Sequence, residues 1–401
     1  MPENESPILP YGHQLIDEAD ITAVVEVLKS DWLTTGPTVT AFESDVAARV
    51  GAQYGIAVAS GTAALHCACQ AAGLGEGDEA VVPTLTFAAT AAAVRLCGAE
   101  VRFADIDPDY WGLSPETIKS ALSSKTKAIL PVDFAGHPCD WDGLAAVLEE
   151  IQAITIADSA HALGGIYKGR SVGTLADMTC FSFHPVKVLT TAEGGMVVTN
   201  SEKYAQHLNQ TRNHGIIHDQ QSFIGGQEAF DGEVSSGTLA PWYYEVQEPG
   251  TNYRISDLQC ALGLSQLKKL DPFLERRKVI AALYAAAFSG SNLLQTPAVR
   301  EDSESAWHIY VIRLNLSALA KTRKQVFEDL RARGIGVQVH YMPLHLHPYY
   351  SKRYGYERGD FPNAEDYYNR AITIPLYPSM TDEDATRVIE TVLDVLNGAK
   401  R

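Results

Sequence analysis

The chain has 401 residues, of which 46% are hydrophobic and 20% are charged. This composition is typical of a globular protein and excludes extensive disorder. The length exceeds the usual size of one hydrophobic core, so two domains, or one large domain with a satellite, are expected. The formal net charge of -17 argues against nonspecific binding to nucleic acid or anionic membranes, because the overall field repels polyanions. The apolar runs are interrupted by charge well short of a membrane span.

The amino terminus and the cysteines indicate a reducing compartment. The opening segment MPENESPILPYGHQ has no basic region followed by an apolar core, which a secretory signal would have. Six cysteines are too few for a disulfide scaffold in a chain of this length. Cys67 and Cys69 form a C-x-C pair, but on a helix they would point to different sides, so buried, inert thiols are expected. We therefore predict a cytoplasmic protein.

The first part of the chain predicts two helices and then a regular alternation of strands and helices. Residues 16–31 and 38–51 have the apolar spacing of helices, and Gly51 closes the second. Strands are then predicted at 54–60, 78–83, 100–106, 126–134 and 153–159, with helices at 62–75, 87–98, 114–124 and 140–150. Such alternation specifies a parallel sheet with helices on both faces, and ligands bind beyond the carboxyl ends of its strands.

The pattern changes near residue 251. Residues 254–288 form a helix-rich region that predicts a link to a smaller domain. Residues 306–316, 322–334, 337–344 and 382–398 predict a small α+β domain, in which a proline-bounded loop follows a strand. We therefore expect a large domain over residues 1–250 and a linker helix with a small domain over 251–401. Residues 218–250 are polar and glycine-rich without periodicity, which indicates a functional loop, a partner contact or disorder.

Three polar or aromatic segments follow strands of the predicted sheet. Gly61 and Thr62 open a helix, where free amides and the positive helix end suit a phosphate, although Ser-Gly-Thr is also a good helix cap. Phe87 begins another helix, either as a core aromatic or as a face on which a flat ring stacks. Asp158 ends an apolar strand, where it needs a cation or several donors unless it caps a helix, and His161 follows it.

The fourth segment, FSFHPVKVLTTAEGG, contains Ser182 and a lysine, Lys187, between two apolar runs. A solvated surface cation is the plain interpretation of Lys187, but the four segments together fit one flat, phosphorylated, aromatic cation. Their combination resembles pyridoxal-phosphate enzymes of the aspartate aminotransferase fold. That α/β fold, fold type I, has a large domain with a mostly parallel sheet and a smaller α+β carboxyl-terminal domain.

More narrowly, four segments resemble the DegT/DnrJ/EryC1/StrS family of sugar-nucleotide aminotransferases, and the resemblance covers nearly the whole chain. They are SFHPVKVLTTAEGG, DSAHALGG, SGTAAL and GTNYRISDLQCALGLSQL. The resemblance implies that Lys187 forms the Schiff base with pyridoxal 5'-phosphate and later carries protons, and that Asp158 pairs with the pyridinium nitrogen. The other cofactor contacts that it implies are Gly61, Thr62, Phe87, His161, Ser182 and Asn252.

Among these, Gly61, Thr62 and Ser182 are expected at the cofactor phosphate, and Phe87 and His161 at the ring faces or the hydroxyl side of the ring. Asn252 resembles the family residue that reaches the phosphate bound by the neighbouring subunit. The resemblance therefore implies a homodimer with shared active sites. His184 lies on the Lys187 loop, where a structural role is one interpretation and no role is assigned.

The substrate is implied by three further segments, SFHPVKVLTTAEGGMVVTN, VQVHYMPL and AEDYYNRAITIPL, which resemble the C4 aminotransferases of pseudaminic acid biosynthesis. Such enzymes would move an amino group from L-glutamate to the C4 ketone of a UDP-linked 4-keto-6-deoxy-N-acetylhexosamine. The positions implied to contact the sugar nucleotide are Tyr11, Trp32, Leu33, Thr34, Arg254, His340 and Tyr341. Packing under the second helix is the structural alternative for Trp32, and the long 218–250 loop departs from the compact family pattern.

Other interpretations stay open at this point. His340, His345 and His347 could form a metal site, but they lie on a proline-bounded loop without ligand spacing, so we expect no metal. A dehydratase relative would have histidine in place of Lys187, and a regulatory protein would have no need of the Asp158 and Lys187 pair. Another sugar-nucleotide C4 or C3 aminotransferase, such as the UDP-4-keto-arabinose transaminase of lipid A modification, is an enzymatic alternative, because it would share the catalytic residues and differ in substrate.

Overall fold

The computed structural model describes residues 8–225 and 240–401. The α-helices of these ranges are α1 (Glu18–Leu28), α2 (Pro37–Val50), α3 (Gly61–Ala71), α4 (Ala88–Leu96), α5 (Pro115–Ala121), α6 (Trp141–Ile151), α7 (Glu202–Thr211), α8 (Asp257–Leu267), α9 (Leu270–Phe288), α10 (Arg323–Ala332), α11 (Pro348–Tyr354), α12 (Pro362–Arg370) and α13 (Asp382–Asn397). None of these helices combines the length and apolar character that a membrane crossing needs.

The β-strands of the same ranges include seven that form one large sheet and eight that form smaller ones. In chain order they are β1 (Tyr54–Val58), β2 (Glu79–Pro83), β3 (Glu100–Ala104), β4 (Thr126–Ile129), β5 (Ile154–Asp158), β6 (Ile166–Tyr167), β7 (Arg170–Ser171), β8 (Met178–Ser182), β9 (Gly195–Thr199), β10 (Ile216–Ile217), β11 (Glu245–Val246), β12 (Leu294–Gln295), β13 (Ser303–Glu304), β14 (Tyr310–Leu314) and β15 (Ala371–Ile374).

The large sheet has the strand order β1-β9-β8-β5-β4-β2-β3. Every neighbouring pair from β8 to β3 is parallel, and β9 is antiparallel to both of its neighbours. The predicted alternation of strands and helices and the mostly parallel sheet are confirmed. The direction of β9 follows from its connection: β8 and β9 are joined by residues 183–194 without a helix, and a parallel neighbour would need a longer crossover. Lys187 lies on this connection.

Helix α3 packs tightly against the sheet because its inward residues are small. Ala64, Cys67, Ala68 and Cys69 are all 0% exposed, which confirms the expected burial of the two thiols. Burial raises the pKa of the Cys67 thiol to about 11, so this thiol carries little thiolate at neutral pH. The six cysteines are free.

A second core lies in the carboxyl-terminal part of the chain. It combines the antiparallel sheet β12-β14-β15 with helices α9, α10 and α13. The predicted helix-rich link at 254–288 consists of α8 and α9, and α9 contributes Leu270 to a core beside the large sheet and Tyr284 to the second core. Near the amino terminus, Leu9 also joins the second core, where its amide donates to the carbonyl of Gly334 over 2.9 Å. The domain division at residue 250 stays a prediction.

The strand expected just before the proline-bounded loop does not form. Only Gln338 bridges a neighbouring strand, through two backbone hydrogen bonds with Thr373 of 2.7 and 3.2 Å. The chain then leaves the sheet edge, so that His340 and Tyr341 line a cavity. Pro343 follows closely, and because proline has no amide donor it cannot extend a strand ladder.

Candidate active site

A cavity of about 540 Å³ opens beyond the carboxyl ends of β5 and β8. All four segments that sequence reasoning selected meet there, because the loops after parallel strands lie on one edge of the sheet. The predicted site residues that line this cavity are Tyr11, Gly61, Thr62, Phe87, Asp158, His161, Ser182, Lys187, His340 and Tyr341. His184 also lines it, at an exposed position.

Lys187 is half-buried and lines the cavity. Its backbone amide donates to the carbonyl of His184 over 2.9 Å, which closes a turn directly before the side chain enters the cavity. Burial lowers the pKa of the Lys187 amine to about 8, although the nearby carboxylate of Asp158 acts in the opposite direction. The plain interpretation as a solvated surface cation therefore does not hold, since burial makes the neutral, nucleophilic amine accessible near neutral pH.

Asp158 ends β5 and is 5% exposed. Its Oδ2 accepts a hydrogen bond of 2.6 Å from the Thr90 hydroxyl, and its Oδ1 accepts one of 3.2 Å from the Ala160 amide. Burial raises the pKa of the carboxyl group, whereas these two hydrogen bonds and the charge of Lys187 lower it. No helix begins between β5 and β6, so Asp158 does not cap one. A carboxylate has about four acceptor positions, and Asp158 therefore has acceptor capacity left for a cation.

The amino terminus of α3 forms a cradle for an anion. Ser60 caps the helix by accepting a hydrogen bond of 3.1 Å from the Ala63 amide, which leaves the amides of Gly61 and Thr62 without an acceptor among the residues that the structure describes. A Cβ atom at Gly61 would fall 2.8 Å from Cβ of Ser182, so glycine is required for the end of β8 to approach the helix. The free amides of Gly61 and Thr62, the hydroxyls of Thr62 and Ser182, and the positive end of the helix suit a phosphate group.

His161 lies in the wall of the cavity as a neutral ring. It is 5% exposed, and its Nδ1 accepts a hydrogen bond of 3.3 Å from the Ala135 amide, so the ring proton is on Nε2, which lies 3.4 Å from the Tyr341 hydroxyl. Burial and the charge of Lys187 lower the pKa of His161 well below its usual value. The ring of His308 lies behind it at a centroid distance of 4.3 Å. A neutral ring can pack beside a cationic ring without electrostatic repulsion.

Phe87 precedes the first residue of α4 and is 57% exposed, so it is not a core aromatic. Its ring centroid is 5.7 Å from that of Tyr341, and both rings line the cavity. One face of Phe87 is thus free to stack on a flat ligand. This stacking role stays a prediction.

Five of the predicted residues lie outside the cavity. Trp32 and Leu33 are 55% and 47% exposed and Thr34 is also exposed, so Trp32 is not buried under α2. Asn252 is exposed beside Asn213, with which it forms a backbone bridge. Arg254 lines a different cavity, of about 450 Å³, and donates to the side-chain oxygen of Asn213 over 2.6 Å. Within one chain these side chains are separated from Lys187, and their roles stay predictions.

The sequence matches the DegT/DnrJ/EryC1/StrS aminotransferase family over residues 14–393. The chain belongs to this family. Among curated relatives, it is 42% identical over 400 residues to the spore coat polysaccharide biosynthesis protein SpsC of Bacillus subtilis, and the match covers 100% of both chains.

Two solved structures of aminotransferases superimpose closely on the chain. The PLP form of the putative sugar aminotransferase Spr1654 of Streptococcus pneumoniae has a TM-score of 0.88 at 31% identity, covering 98% of this chain and 99% of that one. Helicobacter pylori PseC, an aminotransferase involved in the biosynthesis of pseudoaminic acid, has a TM-score of 0.87 at 28% identity, covering 98% and 100%. The predicted fold type I is confirmed, and this family member is a pyridoxal-phosphate-dependent aminotransferase.

The residues of this DegT/DnrJ/EryC1/StrS aminotransferase fit the cofactor chemically. Within the described part of the chain the amides of Gly61 and Thr62 have no acceptor, which matches a phosphate, and Asp158 has acceptor capacity for a pyridinium nitrogen. Lys187 offers an amine whose pKa is lowered toward neutrality in the same cavity. Because all three features lie in one cavity, the residues of that cavity fit pyridoxal phosphate.

Two of the three histidines that suggested a metal, His340 and His345, are occupied by other contacts. His345 is fully buried, with Nδ1 at 2.7 Å from the Thr84 hydroxyl and Nε2 at 3.1 Å from a Glu365 oxygen. The Nδ1 atom of His340 lies 2.8 Å from the Thr373 hydroxyl. Within residues 8–225 and 240–401, no group of three or more His, Cys, Asp or Glu side chains is arranged to hold a metal ion.

Sequence reasoning missed several residues around the site. Thr90 binds Asp158, Thr86 binds Thr90, His308 packs behind His161, and the Arg277 guanidinium lies behind the Lys187 backbone at 3.5 Å. Threonines 86 and 90 had a usable signal, because they are four residues apart at the start of a helix that follows a strand. His308 and Arg277 lie in the carboxyl-terminal part, and no local pattern marks them.

Proposed function

We propose that the enzyme transfers the amino group of L-glutamate to the C4 ketone of a UDP-linked 4-keto-6-deoxy-N-acetylhexosamine. The main support for aminotransferase chemistry is that Lys187, Asp158 and the amides of Gly61 and Thr62 lie in one cavity. The choice of sugar is supported by the similarity to PseC, which is named for pseudoaminic acid (also called pseudaminic acid) biosynthesis. The similarity to SpsC, named for spore coat polysaccharide biosynthesis, supports an amino sugar as the product.

Pyridoxal phosphate, when bound, supplies an aromatic ring that accepts electrons and carries the amino group between the two substrates. The residues of this chain supply binding, orientation and proton transfer. The Gly61 and Thr62 amides and the Ser182 hydroxyl are proposed to bind the phosphate, and Asp158 to bind the protonated ring nitrogen. An ionised carboxylate favours the protonated ring, which is the better electron acceptor.

Lys187 is proposed to hold the cofactor between turnovers and to move protons during them. Its amine has a pKa lowered to about 8 by burial, so both its protonation states are accessible near neutral pH. A general acid or base is most effective when its pKa is near the working pH. His161 stays neutral under the same conditions, because burial and the Lys187 charge disfavour its cationic form, and it is proposed to pack beside the ring.

The sugar nucleotide is proposed to enter the cavity past Tyr11, which packs against His340 at a centroid distance of 5.1 Å. We further propose that each site is completed in a homodimer. The support is that the predicted contacts Trp32, Leu33 and Asn252 are exposed and outside the cavity of their own chain. Exposed aromatic and aliphatic side chains are typical of residues that a partner covers.

The first experiment supplies purified protein with L-glutamate and, in parallel, with the UDP-linked 4-keto-6-deoxy-N-acetylhexosamine or UDP-4-keto-arabinose. Formation of 2-oxoglutarate is followed together with the mass of the sugar product. We expect amination of the hexosamine and little reaction with the arabinose derivative, and no product from Lys187→Ala.

Faster amination of the arabinose derivative would overturn the choice of substrate, but it would agree with the aminotransferase activity. Reaction of neither ketone, in protein that binds pyridoxal phosphate and takes the amino group of glutamate, would also overturn that choice. Protein that binds neither cofactor nor glutamate would favour the regulatory alternative.

A further inference from the structure

Two buried threonines form a chain of hydrogen bonds that ends on Asp158. Thr90, in the first turns of α4, is 0% exposed, and Thr86, just before the helix, is 1% exposed. The hydroxyl oxygens of Thr86 and Thr90 are 2.7 Å apart, and the Thr90 hydroxyl lies 2.6 Å from Oδ2 of Asp158. Thr86 lines the cavity beside the carboxylate.

When the Asp158 carboxylate is ionised, the number of hydroxyl hydrogens fixes which group donates in each of these hydrogen bonds. An ionised carboxylate only accepts hydrogen bonds, so the single hydroxyl hydrogen of Thr90 is donated to Asp158. The oxygen of Thr90 then accepts from the hydroxyl of Thr86, which supplies the hydrogen for their short contact. Hydrogen bonds in such a chain polarise one another, and a bond to a charged acceptor is stronger than a neutral one.

We propose that Thr90, supported by Thr86, is a positioning residue that holds Asp158 ionised and in one orientation for the ring nitrogen of the cofactor. This inference rests on the pyridoxal-phosphate chemistry of the proposed function but not on the identity of the sugar. Thr90 fixes Oδ2, while Oδ1 accepts the Ala160 amide at 3.2 Å and, among the residues that the structure describes, no other hydrogen bond, so it keeps acceptor capacity for the cofactor.

A purely structural role for the Thr90 hydroxyl is available but weaker. The same oxygen lies 3.2 Å from the carbonyl of Phe87, a local contact that threonine commonly makes in helices. The contact with the carboxylate is shorter, at 2.6 Å, and joins residues 68 positions apart. A threonine that served only its own helix would not need a carboxylate at that distance.

The titratable groups that face Asp158 come from three neighbouring segments. Lys187 lies on the β8-β9 connection, Cys180 on β8 and Tyr341 on the segment after residue 337. Burial raises the pKa of the Cys180 thiol and of the Tyr341 hydroxyl, so both stay neutral below pH 9. Lys187 is a free amine in the apoprotein and also titrates, with a pKa lowered to about 8. Because Lys187 is the same in the wild type and in every Thr90 variant, the difference between these proteins reports on the carboxylate.

The test compares Thr90→Val with Thr90→Ser. Valine keeps the shape and removes the hydroxyl, while serine keeps the hydroxyl. Apoprotein is titrated with pyridoxal phosphate at several pH values, followed by tryptophan fluorescence, and the visible absorption of the loaded protein is recorded against pH. We expect Thr90→Val to bind the cofactor about tenfold more weakly, because a hydrogen bond to a charged group is lost.

The direction of the pH effect follows from the protonation state of Asp158 that this hydrogen bond stabilises. The Thr90 hydroxyl stabilises the ionised carboxylate, so its removal raises the pKa of Asp158. Cofactor affinity, which needs the ionised form, should then begin to fall at a higher pH in Thr90→Val than in the wild type. We also expect kcat to fall about tenfold with KM for the keto sugar unchanged, and Thr90→Ser to restore most of each property.

Thr211→Val is the matched control. Thr211 is a buried helical threonine, 3% exposed, whose hydroxyl bonds the carbonyl of Leu208 in its own helix. The proposal is overturned if folded Thr90→Val binds the cofactor with the affinity and pH midpoint of Thr211→Val, or if Thr90→Ser is as weak as Thr90→Val. Because cofactor binding is measured without sugar, failure of the proposed substrate leaves this test intact.

Discussion

Lys187 shows how a single side chain acquires reactivity from its position. A solvated lysine has a pKa of about 10.4 and is almost wholly protonated at neutral pH. On the β8-β9 connection the amine is enclosed by the cavity wall, and burial lowers its pKa to about 8 even though Asp158 acts against the shift. Desolvation therefore outweighs the attraction of the carboxylate.

This balance predicts the pH dependence of cofactor attachment. The amine reacts with the aldehyde of pyridoxal phosphate only when neutral, so the attachment rate of apoprotein should rise about tenfold per pH unit at low pH and level off above about 8. Stopped-flow absorbance measures it, and Lys187→Ala should show no attachment. A midpoint near 10 would contradict the burial effect.

The close approach of Gly61 to Ser182 can be tested by adding a single methyl group. A Cβ atom there would lie 2.8 Å from Cβ of Ser182, so Gly61→Ala forces the start of α3 away from β8. We expect pyridoxal phosphate to bind about tenfold more weakly and the free energy of unfolding to fall by about 1–3 kcal/mol. Fluorescence titration and urea denaturation measure the two effects.

Gly75→Ala is the control for that change, because a Cβ at Gly75 meets nothing within 4 Å. It should leave both cofactor affinity and stability close to those of the wild type. Equal affinities in the two variants would show that the approach of α3 to β8 is not needed for the phosphate.

At the scale of elements, the site depends on how strand ends and helix starts meet. The ends of β5 and β8 supply Asp158 and Ser182, and the start of α3 supplies the free amides. The β8-β9 connection supplies Lys187 because an antiparallel pair can be joined without a helix. Behind these elements, α9 links the two cores, and Arg277 lies at the middle of the link.

Replacement of the buried Arg277 should strongly lower the free energy of unfolding. It is 0% exposed, and one of its nitrogens donates to the carbonyls of Trp307, His308 and Leu376 over 3.2, 3.0 and 3.0 Å. Arg277→Ala leaves those carbonyls unpaired and opens a cavity, so we expect the free energy of unfolding to fall by about 3 kcal/mol or more. Urea denaturation of the apoprotein measures this change.

The adjacent Arg276 provides the comparison. Its side chain is 25% exposed, pairs with Asp382, which is 71% exposed, and donates to the carbonyl of Met380 over 2.9 and 2.7 Å. An ion pair at such a surface contributes about 1 kcal/mol or less, and Arg276→Ala frees one carbonyl rather than three, so its effect should be smaller than that of Arg277→Ala. If the two variants unfold at the same urea concentration, the carbonyl contacts of Arg277 do not stabilise the link.

At the scale of the whole molecule, the proposed homodimer can be tested by mixing two inactive variants. If Asn252 reaches the phosphate in the neighbouring subunit, Lys187→Ala and Asn252→Ala dimers are each inactive or weak. A mixed dimer then contains one site with both native residues. Random exchange makes half of the dimers mixed, so about a quarter of the wild-type activity should appear on mixing. No recovery in protein shown to exchange subunits would contradict shared sites.

Local sequence determined much of the fold. Apolar periodicity predicted the helices and strands between residues 54 and 159, and strand ends placed Asp158, Ser182 and the Gly61 helix start on one edge of a parallel sheet. These features are encoded over short stretches, because side chains alternate along a strand and repeat along a helix. The family resemblance then gave the cofactor and the lysine.

Only the tertiary structure decided the rest. The antiparallel direction of β9, the loss of the strand expected before the proline-bounded loop, and the exposure of Trp32 depend on which segments meet in space. Thr90 and Asp158 are 68 positions apart, and their 2.6 Å hydrogen bond exists because β2 and β5 end at the same edge of one sheet. Periodicity states which face of an element is buried, but not which distant side chain that face will touch.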